Sequence, residues 1–173
     1  MKQHYDTLVI GSGIAGLSAA ISAAENGLSV LVVSKSAKMS ESNTWYAQGG
    51  IVETGQGDSP ELLEQDIIRA GYGINSLEAV HIVASEGPVL VDEYLVNKAG
   101  VPFHKTATGE FDRTQEGAHS VRRILHVKDH TGRSIEQSLL EYIERSDRID
   151  CIADYTAIDI ITNTHHSTDP QQK

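Results

Sequence analysis

A short apolar run, a glycine-rich turn and a small-residue segment open this chain, and they constrain its fold more than any other feature. The run Thr7–Ile10 is followed by Gly-Ser-Gly-Ile-Ala-Gly at residues 11–16, a helix-like segment up to Gly27, and a second apolar run, Val30–Val33. Two buried strands joined through such a turn and a helix form a βαβ unit typical of dinucleotide-binding folds. The sequence therefore predicts a Rossmann-like α/β fold, with a parallel sheet and flanking helices.

Each glycine of the turn has a separate expected role. Gly11 permits the tight turn, Gly13 lets a diphosphate approach the backbone, and Gly16 lets the helix pack closely on the sheet. The helix N-terminus adds free N–H groups and a partial positive charge, which attract the diphosphate. A glycine-rich turn in an ordinary α/β domain is the alternative at this point.

The end of the second strand leaves the identity of the dinucleotide open. NAD sites usually carry Asp or Glu there, whereas here Val33 is followed by Ser34 and Lys35. This departure disfavours NAD. The hydroxyl and the ammonium can hydrogen-bond ribose or phosphate oxygens, although Lys35 equally suits a solvated loop.

Composition disfavours several classes of partner and location. The 173 residues carry a formal net charge of −10, which argues against nucleic acid or an anionic membrane as partner. No apolar run approaches the ~20 residues that span a bilayer, and we expect no signal peptide because the first strand begins so early. The single cysteine, Cys151, indicates a reducing compartment and a cytoplasmic location.

Helix and strand patterns continue along the chain. The predicted elements are a helix from Ser59-Pro60 to Gly71, a helix over 76–98 that Gly87-Pro88 can interrupt, strand and turn structure over 101–112, a helix from Gly132 to Arg145, and strands at 149–153 and 157–162. Residues 164–173 are polar and are predicted to form a tail or turn. Because no later element completes the sheet, we expect the chain to be a piece of a larger protein.

Two further segments carry groups suited to binding. Residues 45–51, Trp-Tyr-Ala-Gln-Gly-Gly-Ile, place two glycines behind an aromatic pair, which lets the backbone approach a flat ligand; a simple turn is the alternative. Residues 114–130 are dense in ionisable side chains, for which a solvated face is the alternative. His126 and His130 would form a metal pair only on a helix. A turn is predicted at 129–132, so we predict no metal site.

Four segments together resemble the flavoproteins of the fumarate reductase and succinate dehydrogenase family, and within it the L-aspartate oxidase branch. They are Gly-Ser-Gly-Ile-Ala-Gly-Leu-Ser-Ala-Ala at 11–20, Val-Ser-Lys at 33–35, Asn-Thr-Trp-Tyr-Ala-Gln-Gly-Gly-Ile at 43–51, and Glu-Gly-Ala-His-Ser-Val-Arg-Arg-Ile-Leu-His at 116–126. The last two are far more specific than the first. The resemblance implies that residues 1–163 form the N-terminal segment of an FAD-binding domain, and that 164–173 lead to a remainder.

The resemblance implies FAD, with residues 12–15 at the diphosphate, Lys35 on the adenosine side, and residues 43–50 at the flavin end. In membrane-complex relatives a histidine near the start of the last block carries the flavin covalently, and here Asn43 stands in its place. An amide nitrogen is no nucleophile, so the resemblance implies non-covalent FAD. The implied cofactor-binding residues are Gly11, Ser12, Gly13, Ile14, Ala15, Gly16, Lys35, Asn43, Thr44, Trp45, Tyr46, Ala47, Gln48, Gly49 and Gly50.

Glu116 is the residue expected to orient the substrate. A carboxylate can pair with the ammonium of L-aspartate by a charge-assisted hydrogen bond, and fumarate has no such group. The implied reaction transfers a hydride from L-aspartate to the flavin, which O2 or fumarate reoxidises. The product, iminoaspartate, passes to quinolinate synthesis in the de novo formation of NAD.

The family's substrate carboxylate clamps, acid/base arginine and capping domain are expected beyond residue 173. No catalytic residue is therefore assigned within this chain, and we expect these residues by themselves to be inactive.

Two alternatives remain. A fumarate reductase or succinate dehydrogenase flavoprotein is disfavoured by Glu116 and by the missing flavin-attachment histidine. A non-catalytic nucleotide-binding module is favoured only if the 173 residues are the complete product.

Overall fold

A computed structural model of the protein describes residues 4–161 as a parallel three-stranded sheet, a two-stranded antiparallel sheet and five helical segments. The strands are β1 (Thr7–Ile10), β2 (Val30–Val33), β3 (Ile51–Val52), β4 (Ile124–Leu125) and β5 (Ile149–Ile152). The helices are α1 (Ile14–Glu25), α2 (Pro60–Ala70), α3 (Leu77–Leu90), a π-helix (Val91–Lys98) and α4 (Thr131–Ile143). The predicted α/β class, the first βαβ unit and the strand at 149–153 are confirmed.

The parallel sheet has the order β1-β2-β5, and one of its faces carries helices α1 and α4. In this register Leu8 lies opposite Leu31, and Leu31 opposite Asp150. Strand side chains alternate between the two faces, so Val30 and Val32 are fully buried under the helices, whereas Leu8 is 57% exposed on the other face. The core is thus formed on one side of the described sheet.

Helices α1 and α4 fill this core with apolar side chains spaced three and four residues apart, as helical periodicity requires. Leu17 and Ile21 of α1 meet Ile135 and Leu139 of α4 in one buried cluster. Removing a methylene-rich side chain here leaves a cavity that its neighbours fill only partly. The packing fixes α4 against α1, and α4 in turn contacts residues 42–47 through Gly132 and Glu136.

Helix α2 begins where the sequence predicts, because Ser59 caps it by accepting a hydrogen bond from the amide of Leu62 at 3.2 Å, with Pro60 in the first turn. The Gly87-Pro88 pair does not interrupt the following helix. Pro88 is buried inside α3, which continues into the π-helix at Val91. Proline removes one backbone hydrogen bond and crowds the carbonyl one turn before it, but the hydrogen bonding resumes at Val91, whose amide donates to the Gly87 and Pro88 carbonyls.

The strand and turn structure predicted over 101–112 is a small hairpin, in which Lys105 bridges to Phe111 and Gly109 adopts φ +88°. The strand predicted over 157–162 is wrong for residues 157–161, which form no strand. After β5 the chain reverses at Asp154, which has φ +63°, and runs across the strand ends instead of alongside a partner. Thr162 and the predicted tail at 164–173 lie outside the described residues.

Helix α4 begins at Thr131, so His126 lies before it and shares no helical face with His130. Within residues 4–161 no group of three or more His, Cys, Asp or Glu side chains is placed to hold a metal ion. In the same part of the chain, no helix combines the length and the apolar character that crossing a membrane requires.

Candidate functional site

A cleft of about 730 Å³ opens at the carboxyl ends of β1 and β2. This is the edge of an open parallel sheet at which ligands bind, because the loops there diverge. Four segments bound the cleft: the glycine turn, the end of β2, a loop over residues 41–46, and the chain after β5. The lining residues are Ile10, Gly11, Ser12, Gly13, Ile14, Ala15, Gly16, Val33, Ser34, Lys35, Ser36, Glu41, Ser42, Asn43, Thr44, Tyr46, Tyr155, Thr156 and Ala157.

The glycine turn can adopt its shape because glycine carries no Cβ. Gly11 has φ +110°, a conformation that residues with a Cβ rarely adopt. A Cβ on Gly16 would overlap the carbonyl oxygen of Gly11, so only glycine lets α1 start this close to β1. A Cβ on Gly13 would lie 3.1 Å from Thr44 Oγ1 and would crowd the gap between the turn and the 41–46 loop.

Backbone amides give the turn its binding capacity. Within residues 4–161, the N–H groups of Ser12, Gly13 and Ala15 have no hydrogen-bond acceptor. The amide of Ile14 is already satisfied, because it donates to Thr44 Oγ1 at 3.0 Å. Unpaired amides at a helix N-terminus attract anionic groups, so the turn fits a diphosphate.

Ser12 contributes its backbone rather than its side chain. Its hydroxyl is buried and donates to the carbonyl oxygen of Met39 at 2.6 Å. This bond connects the glycine turn to the loop that follows β2. The side chain therefore shapes the cleft, and the amide remains available to a ligand.

The far side of the cleft is formed by Lys35 and by residues that the sequence interpretation missed. Lys35 is exposed at the end of β2. The amide of Tyr155 donates to the carbonyl of Ser34 at 3.0 Å, which draws residues 155–157 over the strand ends. The apolar alternation beyond residue 157 would indicate a strand. In the structure the chain turns at Asp154, which has a left-handed backbone conformation, and residues 155–157 lie at the cleft instead.

Helix α4 packs against the 41–46 loop and holds it in place. Gly132 of α4 packs so closely on the backbone of Thr44 and Ala47 that a Cβ would clash, and its amide donates to the Ala47 carbonyl at 3.0 Å. One turn later, the carboxyl of Glu136 shares a short hydrogen bond with Ser42 Oγ. Burial raises the pKa of Glu136 and outweighs the hydrogen bonds that the ionised carboxylate would accept from Ser42 and the Trp45 amide.

The predicted flavin-end block extends beyond the cleft itself. Asn43, Thr44 and Tyr46 line it, whereas Trp45 and residues 47–50 do not; the latter lead from its end to β3. Trp45 instead stacks under the guanidinium of Arg133, 5.0 Å from the ring centroid.

Glu116 and the end of this block meet in space although 66 residues separate them in sequence. The amide of Gly50 donates to Glu116 Oε1 at 3.3 Å. Gly50 packs directly on β4 because it lacks a Cβ, which would overlap Ile124 and the Leu125 carbonyl. The carboxylate of Glu116 remains exposed, so it can accept a further bond from a ligand.

A buried ionic network connects residues 120–123, which follow Glu116 in sequence, to residues 58 and 66, and the sequence interpretation did not predict it. Arg123 is fully buried and donates to both Asp58 carboxylate oxygens, at 2.9 and 2.8 Å, and to Asp66 at 2.8 Å. Asp66 also accepts from the amide and the hydroxyl of Ser120. Burial by itself would raise the pKa of Asp66, but the bonds from Ser120 and Arg123 prevail and lower it. The network holds residues 119–123, and thereby the segment carrying Glu116.

Comparison with known proteins agrees with this geometry. The profile of the FAD binding domain family matches residues 6–169. The chain is similar to the L-aspartate oxidase of Halobacterium salinarum, with 42% identity over 160 residues, covering 91% of this chain and 30% of that protein. It is also similar to the L-aspartate oxidases of Vibrio cholerae, at 40% over 168 residues (93% and 31%), and of rice, a chloroplastic protein, at 40% over 161 residues (92% and 24%).

Solved structures show the same fold. Mycobacterium smegmatis Sdh1, solved in complex with UQ1, is 31% identical with a TM-score of 0.77, covering 89% of this chain and 28% of that one. The quinol fumarate reductase FrdA of E. coli is 24% identical with a TM-score of 0.80, covering 87% of this chain and 26% of that one. At this identity the likeness is one of fold alone. The chain spans 24% to 31% of the length of the three L-aspartate oxidases above. Because the family profile covers nearly all of it, this chain belongs to the FAD binding domain family, whose cofactor is FAD.

Proposed function

We propose that the protein containing this chain is an FAD-dependent oxidase of L-aspartate, which forms iminoaspartate for NAD biosynthesis in the cytoplasm. The observation that carries the proposal is the bond from the Gly50 amide to Glu116, which holds this carboxylate against the block that leads from the cleft to β3. The names of the relatives, L-aspartate oxidases at 40–42% identity over most of this chain, support the same substrate.

The cleft residues hold the cofactor in this proposal. The amides of the glycine turn bind the diphosphate, Lys35 lies on the adenosine side, and the 43–50 block approaches the flavin. When bound, FAD accepts the two electrons that leave the substrate carbon. Asn43 has no nucleophilic nitrogen, so the FAD is bound without a covalent link.

Glu116 selects the substrate in this proposal. Its carboxylate pairs with the ammonium of L-aspartate, whereas succinate would bring only like charges towards it. A bond to a charged group contributes about 1.5–3 kcal/mol, which corresponds to roughly a tenfold to hundredfold preference. The fumarate reductase or succinate dehydrogenase alternative lacks this advantage, since its substrates carry no amine.

The test compares substrates on the complete gene product that contains this chain. Reconstituted with FAD in air, the protein is expected to release hydrogen peroxide with L-aspartate and none with succinate. Fumarate is expected to accept the electrons when oxygen is absent. Oxidation of succinate at the rate of L-aspartate would support a dicarboxylate dehydrogenase, and a failure to bind FAD would exclude both.

A further inference from the structure

Glu136 of α4 is an acidic side chain removed completely from solvent. Its exposure is 0%, and no Lys, Arg or His within residues 4–161 forms an ion pair with it. An ionised carboxylate buried without a cation is strongly destabilised. The neutral carboxylic acid is therefore the favoured form, in agreement with the raised pKa.

The neutral acid has one O–H, and the surroundings decide which oxygen carries it. Oε1 is buried and has no hydrogen-bond partner within the described chain, so a proton there would lack an acceptor. Oε2 lies at hydrogen-bond distance from Ser42 Oγ. Since buried donors are almost always paired, the proton lies on Oε2 and is donated to Ser42.

Ser42 then has a hydrogen of its own to place. A hydroxyl provides one donor and two acceptor sites. The acceptor sites of Ser42 Oγ take the O–H of Glu136 and the amide of Trp45, which lies 3.4 Å away. Ser42 lines the cleft, and its Oγ would be 3.5 Å from a Cβ on Gly13. Its remaining hydrogen is free to point towards a ligand.

We propose that Glu136 is a positioning residue of the cofactor site, which donates its proton to Ser42 so that the Ser42 hydroxyl donates into the cleft, to an acceptor atom of bound FAD. This inference rests on the proposed function only for the identity of the ligand. An ionised carboxylate would have the opposite effect, because it would take the Ser42 hydrogen for itself.

Three variants of the complete protein test the arrangement by titration of the apoprotein with FAD, followed by flavin fluorescence and absorbance. Glu136→Gln retains a donor of the same shape in its amide and should bind FAD within about twofold of the parent. Glu136→Leu and Ser42→Ala each lose the donation and should weaken binding roughly tenfold, the effect of one hydrogen bond. Combining Glu136→Leu with Ser42→Ala should add little, because both remove the same bond.

Glu144→Gln, an exposed position just after α4, is the matched control and should leave FAD binding unchanged. If Glu136→Gln binds FAD as weakly as Glu136→Leu while melting like the parent, the charge is what matters and the inference is overturned. Unchanged affinity and spectrum in Ser42→Ala overturn it as well. Should Glu136→Leu fail to fold, the Gln and Ala variants still decide. If the parent protein binds no FAD, the proposed function fails as well. If the parent binds FAD but Glu136→Gln and Glu136→Leu weaken binding equally, this inference alone fails.

Discussion

In the proposed function a single carboxylate, Glu116, selects the acid that the site accepts. Its carboxylate is exposed, and the Gly50 amide donates to only one of its two oxygens, Oε1. The buried network around Arg123 holds the segment that carries it. The residue was predicted through a family resemblance, since an isolated Glu among other charged residues has no distinguishing pattern. Its contact with Gly50 could not be predicted, because no local periodicity relates positions 66 residues apart.

Replacing Glu116 with Gln should lower kcat/KM for L-aspartate by roughly tenfold to hundredfold, because the amide keeps the shape but loses the charge-assisted bond. Reduction of fumarate, which carries no ammonium, should fall much less. Steady-state rates with both substrates measure the difference, and Glu86→Gln on the exposed face of α3 serves as control. Equal losses for the two reactions would refute the assigned role.

At the scale of elements, the junction between β1 and α1 depends on Gly16, which has no room for a side chain. The sequence predicted this junction well, since the strand, turn and helix are contiguous and each has its own local pattern. The same reasoning failed after β5, where the apolar residues 158, 160 and 161 suggest a strand but the chain crosses the strand ends. What decides between the two is the direction that the chain takes after Asp154, which is a property of the tertiary structure.

Two helical glycines give a matched stability test. Gly16→Ala should destabilise the domain by about 1–3 kcal/mol, because the new Cβ overlaps the Gly11 carbonyl and forces α1 away from β1. Gly87→Ala should change the stability by less than about 1 kcal/mol, because nothing beyond its chain neighbours lies within 4 Å of the new Cβ, and the helix preference of alanine is offset by contact with the adjacent Pro88 ring. Denaturant unfolding of both variants measures the changes; equal effects would contradict the described junction.

The Asp58–Asp66–Arg123 network connects α2 to the β4 segment and should give the fold an acid-sensitive contribution. Because the pKa of Asp66 is lowered in the folded state, its contribution is fully present above the unfolded value of about 3.9 and is lost as pH falls through the folded value. Unfolding midpoints of the parent should thus decline below about pH 4. Asp66→Asn should be less stable at neutral pH and decline less steeply; an identical decline would assign the acid sensitivity to other carboxylates.

At the scale of the whole molecule, the chain provides a cleft that fits FAD and one carboxylate proposed to bind the substrate, but no assigned catalytic residue. The binding turn, the Lys35 strand end and the 43–50 block were predicted from sequence, while the contacts of Tyr155, Arg123 and Glu136 were found only in the folded structure. Arg123 and Glu136 are buried polar residues whose hydrogen-bond partners are distant in sequence, and so composition and periodicity do not identify their roles.

The 173 residues expressed by themselves should show no L-aspartate oxidation above background, whether or not FAD is added. The reason is that the relatives are three to four times longer, at 24–31% coverage, and we expect the groups that grip the substrate carboxylates in that additional length. Peroxide release by this chain and by the complete gene product, assayed side by side, measures the difference. Comparable turnover in the two would show that the catalytic groups lie within these residues.

The most direct test of the account is a crystal structure of the complete protein with FAD and an analogue of L-aspartate that keeps the amino group but cannot be oxidised, or with L-aspartate bound beside flavin that has been reduced beforehand. The decisive quantity is the distance between the Glu116 carboxylate and the amino group of the bound acid. We predict a hydrogen-bond distance of about 2.7–3.2 Å, with the FAD diphosphate on the amides of residues 12–15. A Glu116 remote from both substrate and isoalloxazine, or a nicotinamide dinucleotide in the cleft, would contradict the account.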